Sequence, residues 1–115
     1  MSRKLTALTF VVALLSGCAS APKPSGDAYA DLAGDDVRLA AATLQKALEA
    51  GPDGKRVAWE NAATGRSGTV RPLRTYVTGG GYFCRSYEEE LRHGERAETF
   101  RHDACRNERG VWVWL

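Results

Sequence analysis

The chain has 115 residues, which is enough for one ordinary domain. Hydrophobic residues make up 43% and charged residues 26%, a balance that excludes a collagen-like chain and argues against wholesale disorder. The formal net charge is only +2, and the one long apolar run lies at the N-terminus, so a multi-span membrane protein is excluded.

Met1-Ser2-Arg3-Lys4 is a short basic start, and residues 5–15 (LTALTFVVALL) are apolar and uncharged. Small Ser16 and Gly17 follow, then Cys18. This is the layout of a secretory signal, with residues 1–17 as the part removed. At 1.5 Å per residue the apolar run reaches about half of a ~30 Å hydrocarbon core, too short to span it. Leu15-Ser16-Gly17-Cys18 resembles the bacterial lipoprotein box. That resemblance implies lipidation (palmitate among the acyl groups) of the Cys18 thiol, which becomes the first residue of the processed chain. Several acyl chains on one residue anchor stably where a single chain would not. Ala19 stands where an aspartate would favour inner-membrane retention, so the resemblance implies the outer membrane of a Gram-negative envelope.

Residues 18–34 are expected to be the lipidated cysteine and a flexible tether rich in Ala, Pro, Ser, Gly and Asp, with Tyr29 and Leu32 as the side chains able to pack on the domain. The globular part is expected over residues 35–115. Residues 35–50 carry Val37, Ala40, Ala41, Leu44, Ala47 and Leu48 on one helical face, with Asp35 as the expected N-cap and Gly51-Pro52 as the stop. The charges opposite do not make a strongly basic face, so a membrane-surface helix is disfavoured.

From Lys55 onward the texture is strand and turn. Residues 55–60, 69–78, 82–91, 97–107 and 111–115 read as strands, with Pro72 marking an edge, a bend or a bulge. Gly79-Gly80-Gly81 reads as a turn, since no phosphate-loop pattern surrounds it. The expected fold class is α+β, one N-terminal helix packed on a small four- to five-stranded antiparallel sheet.

Cys84 and Cys105 remain once Cys18 is assigned to lipid, and two cysteines in an exported domain usually pair; two reduced, buried thiols are the alternative, and without a C-x-x-C a redox-active pair is the weaker one. With Gly94-Glu95 as a two-residue type II′ turn, facing positions sum to 189, and Cys84 and Cys105 satisfy that sum on a non-hydrogen-bonded rung. The same register places Phe83, Tyr87, Leu91, Phe100 and Ala104 on the core face and sets Glu88 opposite Arg101.

Trp59-x-Asn61, Thr64-Gly65, Gly68-Thr69-Val70, Pro72, Tyr76, Tyr82, Cys84-Arg85-x-Tyr87, Ala104-Cys105-Arg106 and Gly110-x-Trp112 together resemble the bacterial 17 kDa surface-antigen outer-membrane lipoprotein family. The resemblance implies location and antigenicity and supplies no reaction. Many relatives place a glycine zipper between anchor and domain; here the helix of residues 35–50 stands in that place, so no bilayer-inserting role carries over.

The expected function is a lipid-anchored, non-enzymatic envelope lipoprotein with a structural or interaction role and an envelope protein as partner. A periplasmic protein-binding inhibitor or sensor is the alternative, and a hydrolytic enzyme is the weaker one. His93 falls in a turn and His102 on the core face opposite Tyr87, where it reads as a hydrogen-bonded structural histidine. No catalytic triad pattern, metal spacing, cofactor motif or small-molecule substrate site is evident. Glu88-Glu89-Glu90 alternates faces, so these carboxylates do not converge. Without residues 1–17, fourteen basic residues balance fourteen acidic ones, so nucleic acid is not an expected partner. The weak binding candidates are Trp112 and Trp114, which share one face of the last strand as core or as an exposed patch, and Arg85 and Arg106, which read as surface ion pairs or snorkelling side chains.

Overall fold

The computed structural model describes residues 29–115. The apolar run, Cys18 and most of the expected tether lie outside the described residues. The helix α1 (Gly34–Ala50) precedes five strands, β1 (Val57–Asn61), β2 (Arg66–Val77), β3 (Phe83–His93), β4 (Arg96–Arg106) and β5 (Trp112–Trp114). The strands form one antiparallel sheet in the order β1-β2-β3-β4-β5, a meander, and α1 covers one face of it. The α+β architecture is therefore that of a helix on a five-stranded antiparallel sheet.

The buried stripe of α1 differs from the expected one. It runs through Asp36, Ala40, Thr43, Leu44, Ala47 and Leu48, so Asp36 and Thr43 replace Val37 and Ala41, and Val37 is 41% exposed. Two polar side chains sit on the inner face because each has partners there. The Thr43 hydroxyl donates to the Leu39 carbonyl at 2.8 Å, and Asp36 accepts from several donors described below. The N-cap is Ala33 rather than Asp35; Asp36 reaches back to accept a hydrogen bond from the Ala33 N–H at 3.0 Å. Gly51 ends the helix in an extended conformation, its N–H bonded to the Ala47 carbonyl. A Cβ there would lie 2.5 Å from that oxygen, so close approach explains the glycine.

β2 is long because it changes neighbours. β1 pairs with its first half and stops at Val57↔Val70. Pro72 thus has a strand neighbour on the β3 side only, the situation in which a missing N–H does no harm. The register shifts between Pro72 and Arg74, leaving Leu73 as an extra residue, a β-bulge. At the β3–β4 connection His93 faces Arg96 across Gly94-Glu95. Gly94 has φ +61 and no non-glycine residue among the described ones has positive φ, which fits a type II′ turn rather than type I′.

The core is built from two packed groups. Leu44, Ala47, Leu48, Val70, Tyr87, Ala104 and Trp112 form one, and Ala40, Trp59 and Leu91 form the other, flanked by Tyr29, Leu32, Leu39 and Phe100. Phe83, expected in the core, is 58% exposed. It lies on the correct face but two residues beyond Arg85, whose side chain meets the last carbonyls of α1, so the helix has ended before it can cover Phe83.

Candidate functional site

Cys84 and Cys105 face each other across β3 and β4 and are joined by a disulfide, 21 residues apart in the chain. They lie on the sheet face away from α1, on one cross-strand row with Tyr76 and Val113. Tyr76 donates to the Asp103 carboxylate at 2.5 Å, and the Arg74 guanidinium lies over its ring at 4.8 Å. Two rungs along, Glu88 takes Arg71 at 2.9 Å and Arg101 at 3.4 Å. Burial alone would raise the Glu88 carboxyl, but the two guanidiniums hold it below the ordinary range.

On the helix face the arginines beside the cysteines are not free. Arg85 is buried, and this corrects its reading as a surface ion pair or snorkelling side chain. Its Nη1 donates to the carbonyls of Leu48 at 2.8 Å and Ala47 at 3.3 Å, and its Nη2 to Asp53 at 2.7 Å. It satisfies the orphan Leu48 carbonyl, adds a second bond to the Ala47 carbonyl, and places positive charge at the negative end of the helix dipole. Arg106 forks onto the Glu49 carboxylate at 2.9 and 3.2 Å. Hydrogen bonds from Arg106 and from the Trp112 indole hold the Glu49 carboxyl below its usual range.

Trp112 is buried, and its backbone exchanges two hydrogen bonds with the Gln45 side-chain amide. Trp114 points to the same face but is 42% exposed. It stacks on Tyr29 with ring centres 5.7 Å apart and meets His102 edge-on at 5.8 Å. His102 lies opposite Tyr87, ring centres 6.4 Å apart, so its setting is aromatic rather than the hydrogen-bonded one expected. His93 is exposed at the turn.

The other end of the helix is gathered by Asp36. Its buried carboxylate accepts from Asn61 at 2.9 Å, Thr64 at 2.7 Å and Arg66 at 3.5 Å, besides the Ala33 N–H. Burial pushes this carboxyl up, and the donors outweigh it, so the group is held below its ordinary range. Gly68 lies under the Trp59 indole, where a Cβ would be 2.5 Å from Nε1. Asn61, Thr64, Gly68, Arg85, Cys84, Cys105, Arg106 and Trp112 thus serve helix docking and sheet closure.

A cleft of about 600 Å³ lies between Asp31 and Leu32 on one side and the β3–β4 turn on the other. Of the arginines lining it, Arg66 is paired with Asp36 and Arg92 with Glu90, and the walls also carry Arg96, Asp31 and Glu98. No group of three or more metal-ligating side chains occurs among the described residues, and no described helix is long and apolar enough to cross a membrane.

Sequence reasoning missed Glu89. It is fully buried between Tyr87 and Leu91 on the helix face and accepts a hydrogen bond from the Tyr29 hydroxyl. The alternation that separated the three glutamates already put Glu89 inward; its partner, 60 positions away, carried no sequence signal.

Most of the motif residues define a small scaffold domain, an α+β meander closed by one helix and one disulfide. Residues 46–113 match the family described as 17 kDa outer membrane surface antigen, and the chain belongs to that family. The 17 kDa surface antigens of Rickettsia felis, Rickettsia bellii and Rickettsia prowazekii are 40%, 39% and 36% identical to it over 77 residues, covering 67% of this chain and 48% of each relative. The chain therefore spans about half the length of these curated relatives. No solved structure matches it.

Proposed function

We propose that the protein is a lipid-anchored lipoprotein of the outer membrane, surface antigen-like, with a structural or interaction role and no enzymatic one. The observation that carries this reading is Leu15-Ser16-Gly17-Cys18 directly after the short apolar run of residues 5–15. The surface-antigen name of the relatives supports the location. In this reading Cys18 carries the acyl groups, and the domain stands at the membrane on the chain that follows. Its partner is another envelope protein.

Mass spectrometry of the processed protein tests the anchor. The expected product begins at Cys18 with acyl groups attached, and Cys18→Ser should leave the outer-membrane fraction. An unmodified start, or unchanged membrane retention of Cys18→Ser, would overturn the proposal.

A further inference from the structure

Segment 29–33 leads into α1 and is held at three places: Leu32 packs on the Ala40, Trp59 and Leu91 group, the Arg66 guanidinium donates to the Asp31 carbonyl, and Tyr29 reaches the far end of the core. Tyr29 lies flat on Trp114 and donates its hydroxyl to the Glu89 carboxylate. Glu89 has no exposed surface, and its second oxygen, Oε1, has no partner. The Tyr87 hydroxyl is also buried and unpartnered.

No cation is paired with Glu89: Arg85, on the same face of β3, is taken up by the Ala47 and Leu48 carbonyls and Asp53. On its own strand the inward neighbours are Tyr87 and Leu91; β4 sets Phe100 opposite it, with His102 one rung along, and β2 sets Val70 opposite. α1 contributes Ala40, Thr43 and Leu44 to the buried interior, and the half-exposed Trp114 of β5 meets His102 edge-on. Asp36 is engaged with Asn61, Thr64 and Arg66, and Asp103 with Tyr76 on the other face. An ionised Glu89 would hold a buried charge on a single hydrogen bond; a neutral one would not.

We propose that Tyr29 and Glu89 form a proton-operated strap, in which segment 29–33 is held on the sheet while Glu89 is protonated and is freed as Glu89 ionises. Release lets water reach the carboxylate and takes the Tyr29 ring off Trp114. Burial pushes the Glu89 carboxyl up to about 7, with the Tyr29 hydrogen bond opposing that shift. The strap-down state is therefore fully favoured below the ordinary value of 4.5, loses favour as pH rises, and levels off above about 7.

The Leu32 N–H, bonded to the Tyr29 carbonyl at 3.0 Å, closes a turn within the segment that loses its shelter when Tyr29 leaves the sheet. Amide exchange of the full chain in detergent micelles, corrected for intrinsic rates, should give a Leu32 opening equilibrium that rises roughly fiftyfold between pH 5 and 7.5. Glu89→Gln should abolish that rise while the β3–β4 amides stay protected. A wild-type Leu32 opening with no pH dependence, or the same rise in Glu89→Gln, would overturn the proposal. Should Glu89→Gln fail to fold, Tyr29→Phe supplies a second reading from the ¹³C carboxyl shift of Glu89. Its titration midpoint should fall toward the ordinary value when the phenol that fastens the strap is removed, and an unmoved or raised midpoint would overturn the strap.

Discussion

Gln45 and Trp112 are 67 positions apart, yet the Gln45 amide donates to the Trp112 carbonyl at 2.7 Å and accepts from the Trp112 N–H at 2.8 Å. A side-chain amide thus imitates a neighbouring strand for β5, which has only three residues of its own. Glu49, one turn further along the helix, takes the indole N–H of the same tryptophan at 2.8 Å. Gln45→Ala should cost about 1–2 kcal/mol, and the loss should concentrate at β5. Amide exchange should show Trp112 and Val113 opening before β3 does. Uniform loss across the sheet would contradict a local fastening.

Arg85 presents the second prediction. Its guanidinium is buried among the Ala47 and Leu48 carbonyls and the Asp53 carboxylate. Arg85→Ala removes packing, several hydrogen bonds and a charge that complements the helix end. A loss of about 3 kcal/mol is expected in urea unfolding. Arg85→Lys should recover little of it, because one ammonium cannot fork between carbonyls and a carboxylate.

The bridge between Cys84 and Cys105 closes a loop of about twenty residues, so Cys84→Ser with Cys105→Ser should destabilise the domain by ~3 kcal/mol. Thermal unfolding with and without reductant checks this. The reduced protein and the double variant should melt together, and a gap between them would point to disturbance of the Tyr76–Val113 row rather than loss of the cross-link.

Asp36 sets the acid limit. Its carboxyl is held below the ordinary 3.8, so the stability it contributes is present above that pH and is lost as pH falls through the folded-state value. The wild type should therefore weaken below about pH 4. Asp36→Asn should be less stable at neutral pH and should show a flatter acid limb. Denaturant midpoints measured from pH 2.5 to 7 decide the matter, and a parallel acid limb in the variant would assign the effect to other carboxylates.

The β3–β4 pairing was legible because a turn glycine, two cysteines and strict alternation all express the same register. The helix was legible in place but not in rotation. Asp36 and Thr43 lie on its buried side, and hydropathy alone ranks Val37 and Ala41 as better candidates. What turns the helix is the set of donors from Asn61, Thr64 and Arg66, more than twenty positions downstream. Phe83 was misplaced for a related reason: parity fixes the face of a strand residue but not where the covering helix stops. Arg85 and Glu89 share the limitation, since a charged residue in a strand reads as solvated until its partner on another element is known.

The meander order has a kinetic consequence. Every strand pairs with its neighbour in sequence through connections of two to five residues, so each hairpin can zip without a large loop to close. The contacts farthest apart in the chain belong to the layer laid over the sheet, as between Gln45 and Trp112 and between Tyr29 and Glu89. The order of assembly that follows is a sheet that pleats hairpin by hairpin, with the N-terminal layer clasping it afterwards.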